Sequence, residues 1–321
     1  MQKIKDALCR IKVVKIVKDK IRSHTYYRSD RVHYNRAQKD YKSKDYEAIM
    51  IAHSLEKGMS FDKARPFGKE KVKELMALFD KIDKDKKTAK EIVVNTLREY
   101  VDFYERHGWL EEPEYTSVKQ FLAVNKNISR HKAGVETLSK KDVDAKTDYE
   151  KFLLSRHSIR NFSEKRLTKK DFEKAVHIAR LTPTACNRQM VNVIFCESDS
   201  AKEAVISVIR KNLVGFNLDY ATPIVVTFNT AAFSNPLERN QGWLNAGLFT
   251  MNLVNAMHSL GIASCICEFQ QKPKREKALK KILHIKDNER IAVTIMAGYY
   301  RDENKVYVSQ RLSSDELMRV E

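Results

Sequence analysis

Residues 155–160 read Ser-Arg-His-Ser-Ile-Arg, which puts two guanidinium groups, an imidazole and two hydroxyls within six positions, just where a helical pattern dies out. A helix end or turn carrying Arg156, Ser158 and Arg160 can bring charged forks and a hydroxyl onto one anion, an arrangement that suits a phosphate. On spacing alone an exposed basic helix end is the better fit. A second cluster has His53 and Glu56 three apart on one helix face, followed by Lys57 and then FDKARPFGKE. It could take a phosphate or carboxylate, or could simply make hydrogen bonds between helices at a helix end. It is not HExxH, and His and Glu on one helix pair do not make a metal site. The five cysteines form no CxxC pair, which argues against a disulfide framework and against zinc. Cys186 has no base beside it in sequence and reads as a small packing residue. Cys265 and Cys267, two apart on a strand, share one face.

These groups need elements to hold them. The chain has 321 residues, 42% of them apolar, enough for a large domain with an appendage or for two domains. From Tyr46 to about Lys132 the periodicity is helical throughout. One apolar helix is expected to stop at Gly58. Val72, Leu75, Met76, Phe79 and Ile82 mark the next. A third is expected to open with a capping box at Thr88 and Glu91 and to run toward Gly108, and a shorter one covers Ser117 to about Asn127. Polar SKKDVDAKTD at 139–148 reads as a seam. The domains expected are 1–45, a basic amphipathic segment; 46–138, a helical module; and 148–321. In the last, short helices, one of them capped by Thr168 and Asp171, alternate with strands near 191–198, 223–229, 262–268 and 290–300, and a long apolar helix covers 243–260.

The net charge of +18 is unevenly spread: residues 1–44 hold nine Lys and five Arg against four Asp. Ile4, Leu8, Ile11, Val14 and Ile21 recur there at roughly helical spacing. A basic amphipathic helix of this kind can contact an anionic membrane surface peripherally, or be solvated, or dock on a partner. Nucleic acid is not expected as a partner, because no recognition motif accompanies the charge. No apolar run is long enough to span a bilayer and no secretory signal pattern opens the chain, so a cytoplasmic protein is expected.

RxSxR, then PTACNRQ opening a strand, a long helix ending in MHSLGIASCICEF, IAVTIMAGYY and a late Arg311 together resemble the nitroreductase family of FMN-dependent oxidoreductases over about residues 148–315. The N-terminal half, with HSLEKGMSF and RPFGKE, resembles an extension found on some nitroreductase-like proteins from polysaccharide biosynthesis loci. The resemblance implies an α+β fold: a layered domain with a central, mostly antiparallel sheet flanked by helices, preceded here by the all-helical module. It also implies a homodimer with flavin pockets at its interface.

Residue by residue, the resemblance implies that Arg156 and Ser158 bind the FMN phosphate and ribityl chain, with His157 adding ribityl or ring-edge contacts. Arg160 is the cation near the flavin N1 and O2 edge. Thr184 and Ala185 line the flavin from the partner subunit, and Asn187 and Gln189 bound the ring and ribityl chain. The backbone around Cys267, Glu268 and Phe269 covers the ring face and reaches N5, and Arg311 is a second phosphate ligand. The chain departs from the family at Met190 (commonly proline), Phe269 (commonly glycine) and Ser309 (often lysine), and a bulky Phe269 is expected to narrow the approach to the flavin. The implied reaction passes hydride from NADH or NADPH through FMN to a small-molecule electron acceptor, with no side-chain nucleophile and no metal. The alternative is a flavin-binding regulatory or scaffold protein associated with polysaccharide assembly at a membrane surface.

Overall fold

The structure is a computed structural model and describes residues 12–40, 44–61, 64–84, 86–135, 148–213, 215–234, 238–269, 272–304, 306 and 314–321. Five helices come first: α1 (Lys12–Asp40), α2 (Lys44–Met59), α3 (Lys69–Phe79), α4 (Lys87–His107) and α5 (Pro113–Val124). The apolar faces of α2 to α5 close on one core that includes Leu55, Leu75, Val93, Leu97, Tyr100 and Tyr104. Two sequence expectations fail here. Gly58 does not stop α2, which continues to Met59; a Cβ at Gly58 would lie 2.1 Å from the Phe67 ring, so glycine serves close packing instead. Thr88 does not cap α4, which begins one residue earlier with Lys86 at its N-cap, and Glu91 lies 3.4 Å from His131 instead. Gly108 does close α4, in the left-handed region at φ 73°.

The second part is α6 (Tyr149–Ser155), α7 (Lys169–Ala179), β1 (Val191–Phe195), α8 (Asp199–Ile209), β2 (Thr222–Asn229), α9 (Gln241–Ser259), β3 (Ile262–Cys267), α10 (Pro273–Ile282) and β4 (Glu289–Tyr299), with a short α11 (Ser314–Leu317) beyond. Thr168 and Asp171 form the expected capping box of α7. The four strands make one sheet, ordered β1-β2-β4-β3, with every neighbouring pair antiparallel. The fold is thus α+β. β2 is buried along nearly its whole length, as a central strand with a core on each face must be. One core, with α7 and α9, gathers Phe172, Phe228, Phe249, Leu253 and Met257; the other, with α8 and α10, gathers Ile159, Phe162, Val205, Ile209 and Leu279.

The helical part docks on this layer through α1 and α2, and α2 also packs against the turn at Ala185–Asn187. Tyr46 of α2 packs against the first of these cores. Asp30 of α1 lies 3.0 Å from Arg290, which is also held by Glu276 at 3.0 Å. Residues 1–11, the first three of the expected amphipathic stripe among them, and most of the 139–148 seam lie outside the described residues. Among those described, no helix is long and apolar enough to cross a membrane.

Candidate functional site

The helix carrying the opening motif ends where the sequence says it should. α6 stops at Ser155, and Arg156 takes an extended conformation. From there the chain runs beside β3: Ser158 forms a parallel bridge with Ser264, and the Ile159 N–H donates to the Ser264 carbonyl at 3.0 Å. Extended backbone alternates its side chains. Ile159 therefore enters the core while Arg156, Ser158 and Arg160 lie on the other side. Arg160 lies over the Phe216 ring at 5.7 Å, and its carbonyl accepts the Asn217 N–H.

Both arginines act on the same strand. The Cys265 thiol is drawn down to about 7, first by its hydrogen bond with the Cys267 thiol and then, against burial, by Arg160, Ser158 and Arg156. Its partner Cys267 is pushed upward by that shared hydrogen bond and by burial. At the end of the strand the Cys267 carbonyl accepts from Thr294 at 3.1 Å, and just beyond it the Glu268 carbonyl accepts from Asn212 at 2.8 Å, which fixes the 267–268 segment. The structure thus ranges Arg156, Ser158 and Arg160 along β3, with Ser158 opposite Ser264 and the parallel run placing Arg156 toward the Ile262 end and Arg160 toward the Cys267 and Glu268 end. Two guanidiniums and a hydroxyl beside a fixed backbone segment are a donor set that fits the phosphate and ring edge of a flavin mononucleotide. Phe269 corrects the expectation of a narrowed approach: its ring is buried in the core with Val205 and Ile209. Met190 is likewise wholly buried. Arg311 and Ser309 lie outside the described residues.

The PTACNRQ loop is elsewhere. It precedes β1, while the arginine turn flanks β3, and these are opposite edges of the sheet, about 14 Å apart at three strand spacings. The loop is a single turn at Ala185–Asn187 in which Cys186, Asn187 and Gln189 all have φ near +50°. Non-glycine residues hold that region only where the surroundings fix them. Three contacts do so here. Thr184 accepts the Gln189 N–H on its hydroxyl at 3.0 Å, Asn245 of α9 accepts the Ala185 N–H at 3.1 Å, and Arg188 donates to the Ala185 carbonyl at 3.0 Å. Thr184 and Ala185 are half-buried, and Asn187 and Gln189 are exposed. Cys186 is exposed too, so it is not the packing residue its sequence context suggests.

Arg188 is the residue that the sequence reading passes over. It is 1% exposed and donates to the Ala232 carbonyl at 2.6 Å, to Ser234 at 3.1 Å and to both oxygens of Glu238 at 2.6 and 3.1 Å, tying the loop to residues 232–238. A lone arginine in a polar run reads as solvated, because unpaired charges are seldom buried. A second chain of contacts was equally hidden: Ser155, His258 and Tyr300 are linked in series by hydrogen bonds of 2.8 Å that pin the end of α6 to α9 and β4. Burial, with Arg156 and His157 nearby, lowers the His258 pKa, which favours the neutral ring in this chain.

Residues 153–299 match the family profile described as "Nitroreductase family". They form a nitroreductase-family domain. A curated protein of Archaeoglobus fulgidus, named as an NADH dehydrogenase/NAD(P)H nitroreductase, is 27% identical over 172 residues, which are 53% of this chain and 95% of that protein. Among solved structures, a Bacillus subtilis nitroreductase aligns at 16% identity and TM-score 0.48, covering 54% of this chain and 99% of its own. A Desulfovibrio desulfuricans nitroreductase in complex with FMN aligns at 17% identity and TM-score 0.45, covering 54% and 96%. The nitroreductase domain therefore takes in the arginine turn, the PTACNRQ loop and β3, and leaves out α1 to α5.

Proposed function

We propose that the chain is an FMN-dependent oxidoreductase that draws on NADH or NADPH, serves a small-molecule electron acceptor and works as a homodimer. The observation that carries this reading is the arginine turn seated on β3. Arg156 and Ser158 bind the cofactor phosphate and ribityl chain, His157 borders the ribityl chain or ring edge, and Arg160 supplies positive charge at the ring edge where reduction would leave negative charge. The backbone at Cys267, Glu268 and Phe269 covers the ring face. When bound, FMN supplies the two-electron carrier between nicotinamide and acceptor. Thr184, Ala185, Asn187 and Gln189 complete the site of the partner subunit, a division supported by the opposite edges that loop and turn occupy.

The test is the absorption spectrum of the purified protein during anaerobic addition of NADPH or NADH. Flavin bands that bleach are expected. An Arg156→Ala/Ser158→Ala double variant should fold and emerge largely colourless, since each charged bond to a phosphate contributes about 1.5–3 kcal/mol. Full flavin occupancy in that variant would refute the assignment of the site.

A further inference from the structure

Outside the nitroreductase domain, α2 and the start of α3 enclose a cleft of about 830 Å³, reaching to Cys186 in the strained loop. A volume of this order accommodates an organic ligand. His53, Lys57, Arg65, Lys69 and Lys71 line it. Against the cations Lys57, Arg65, Lys69 and Lys71, the lining has among the described residues one carboxylate, Glu70, which lies 3.5 Å from Lys73. Glu56, 3.6 Å from His53, also accepts the Gly134 N–H at 3.1 Å on its other oxygen. The cleft is therefore strongly positive, and a focused field of one sign in a concave wall favours a multiply charged anion.

Its rim is built rather than incidental. The irregular stretch between Arg65 and Lys69 is fixed through Phe67, whose N–H donates to the Tyr104 hydroxyl at 2.9 Å and whose carbonyl accepts from the hydroxyls of Tyr100 and, at 2.8 Å, Tyr104. Both tyrosines are wholly buried, and burial raises both of their pKa values, so they stay neutral donors. The Phe67 ring rests on Gly58, and Gly68 sits at φ 79° with Leu55 2.8 Å from where a Cβ would be. These constraints set Arg65 and Lys69 at fixed places on the cleft wall. Lys69 and Lys71 also belong to the first turn of α3, where the N–H groups have no intrahelical acceptor and the helix dipole is positive.

We infer that this cleft binds a phosphate-bearing small molecule, holding its anionic end among Lys57, Arg65, Lys69 and Lys71 while its other end reaches the Cys186 loop. The inference rests on the proposed function in one respect, that the loop borders a flavin of the dimer. Two molecules share this chemistry, the nicotinamide dinucleotide itself and a phosphorylated acceptor.

The probe is inorganic pyrophosphate, titrated calorimetrically into the full chain with FMN in excess so that the arginine turn is filled. Lys57 and Arg65 are exposed, so a Lys57→Ala/Arg65→Ala variant should keep its fold and flavin content. It should bind pyrophosphate about tenfold more weakly or worse, because two charged contacts are lost. NADPH that competes with pyrophosphate identifies the reductant as the occupant; saturating NADPH without competition identifies a phosphorylated acceptor. Absence of pyrophosphate binding, or equal binding by variant and wild type, overturns the cleft whether or not the protein is yellow. A protein that takes up no FMN yet binds pyrophosphate through these residues keeps the phosphate site and sinks the flavin reading instead.

Discussion

Arg188 sits at the centre of the loop with 1% exposure, and its guanidinium donates to the carbonyls of Ala185 and Ala232, to Ser234 and to both oxygens of Glu238. Glu238 is its counter-charge. Burial alone would raise that carboxyl, but hydrogen bonds from Arg188 and Ser234 more than offset it, and the pKa lies below the usual carboxylate range. Arg188→Leu should therefore destabilise the protein by about 3 kcal/mol, the cost of leaving one partner of a buried pair alone, and should also release the strained backbone at 186–189. The pH dependence follows from the direction of the shift. A depressed carboxyl contributes stability above its unfolded value of about 4.3 that is lost as pH falls through the folded value. Urea melts across acid pH should show a shallower acid loss in Arg188→Leu than in wild type; parallel curves would deny the pair its role. The arginine turn was legible in the sequence because its members are neighbours on one strand-like segment. Arg188 was not, because Glu238 lies fifty residues away and nothing local marks the pairing. Phe269 shows the same limit: its position was readable, the direction of its ring was not.

At the level of elements, α9 carries the clearest consequence. Leu253, Val254 and Met257 face the core as their spacing indicates, but Leu244, Leu248 and Met251, at i, i+4 and i+7, are 39–56% exposed. The neighbouring α7 exposes Ile178 and Leu181 is exposed just beyond it, so the apolar surface extends past one helix. A homodimer burying this face would be isologous, so Leu248→Glu would act twice. Losing two leucine contacts and burying two carboxylates should weaken dimerisation on the order of a hundredfold or more. Sedimentation should then give a monomer, and, if the proposed dimer completes the flavin site from both subunits, the flavin should leave with it; a dimeric, yellow variant would place the interface elsewhere. Helix and strand order was readable from periodicity, and Thr168 with Asp171 from local chemistry alone. Helix ends were less so. Gly58 and Gly108 look alike in sequence, yet one packs against Phe67 inside a helix and the other closes one in the left-handed region, a difference set by a tertiary neighbour.

Over the whole molecule the charge is the property left to explain. Residues 1–28 hold nine basic against two acidic side chains. The middle of α1 is anchored, since Asp30 meets Arg290, which also pairs with Glu276 in the core. On the N-terminal side of that anchor, Ile16, Val17, Ile21 and Tyr27 are 47–62% exposed among the basic residues. Apolar side chains interleaved with lysines gain from both lipid burial and anionic headgroups, the latter by about 1 kcal/mol per basic residue near the surface. The full chain should therefore pellet with vesicles rich in phosphatidylserine at low ionic strength and release as salt screens the charge. Removing residues 1–28 keeps Asp30, so the anchor and the flavin content should survive while vesicle binding is lost. Equal pelleting of both forms would move the membrane contact away from α1. Binding by neither would leave the basic helix as a solvated arm whose charge serves repulsion between copies of the chain rather than attachment.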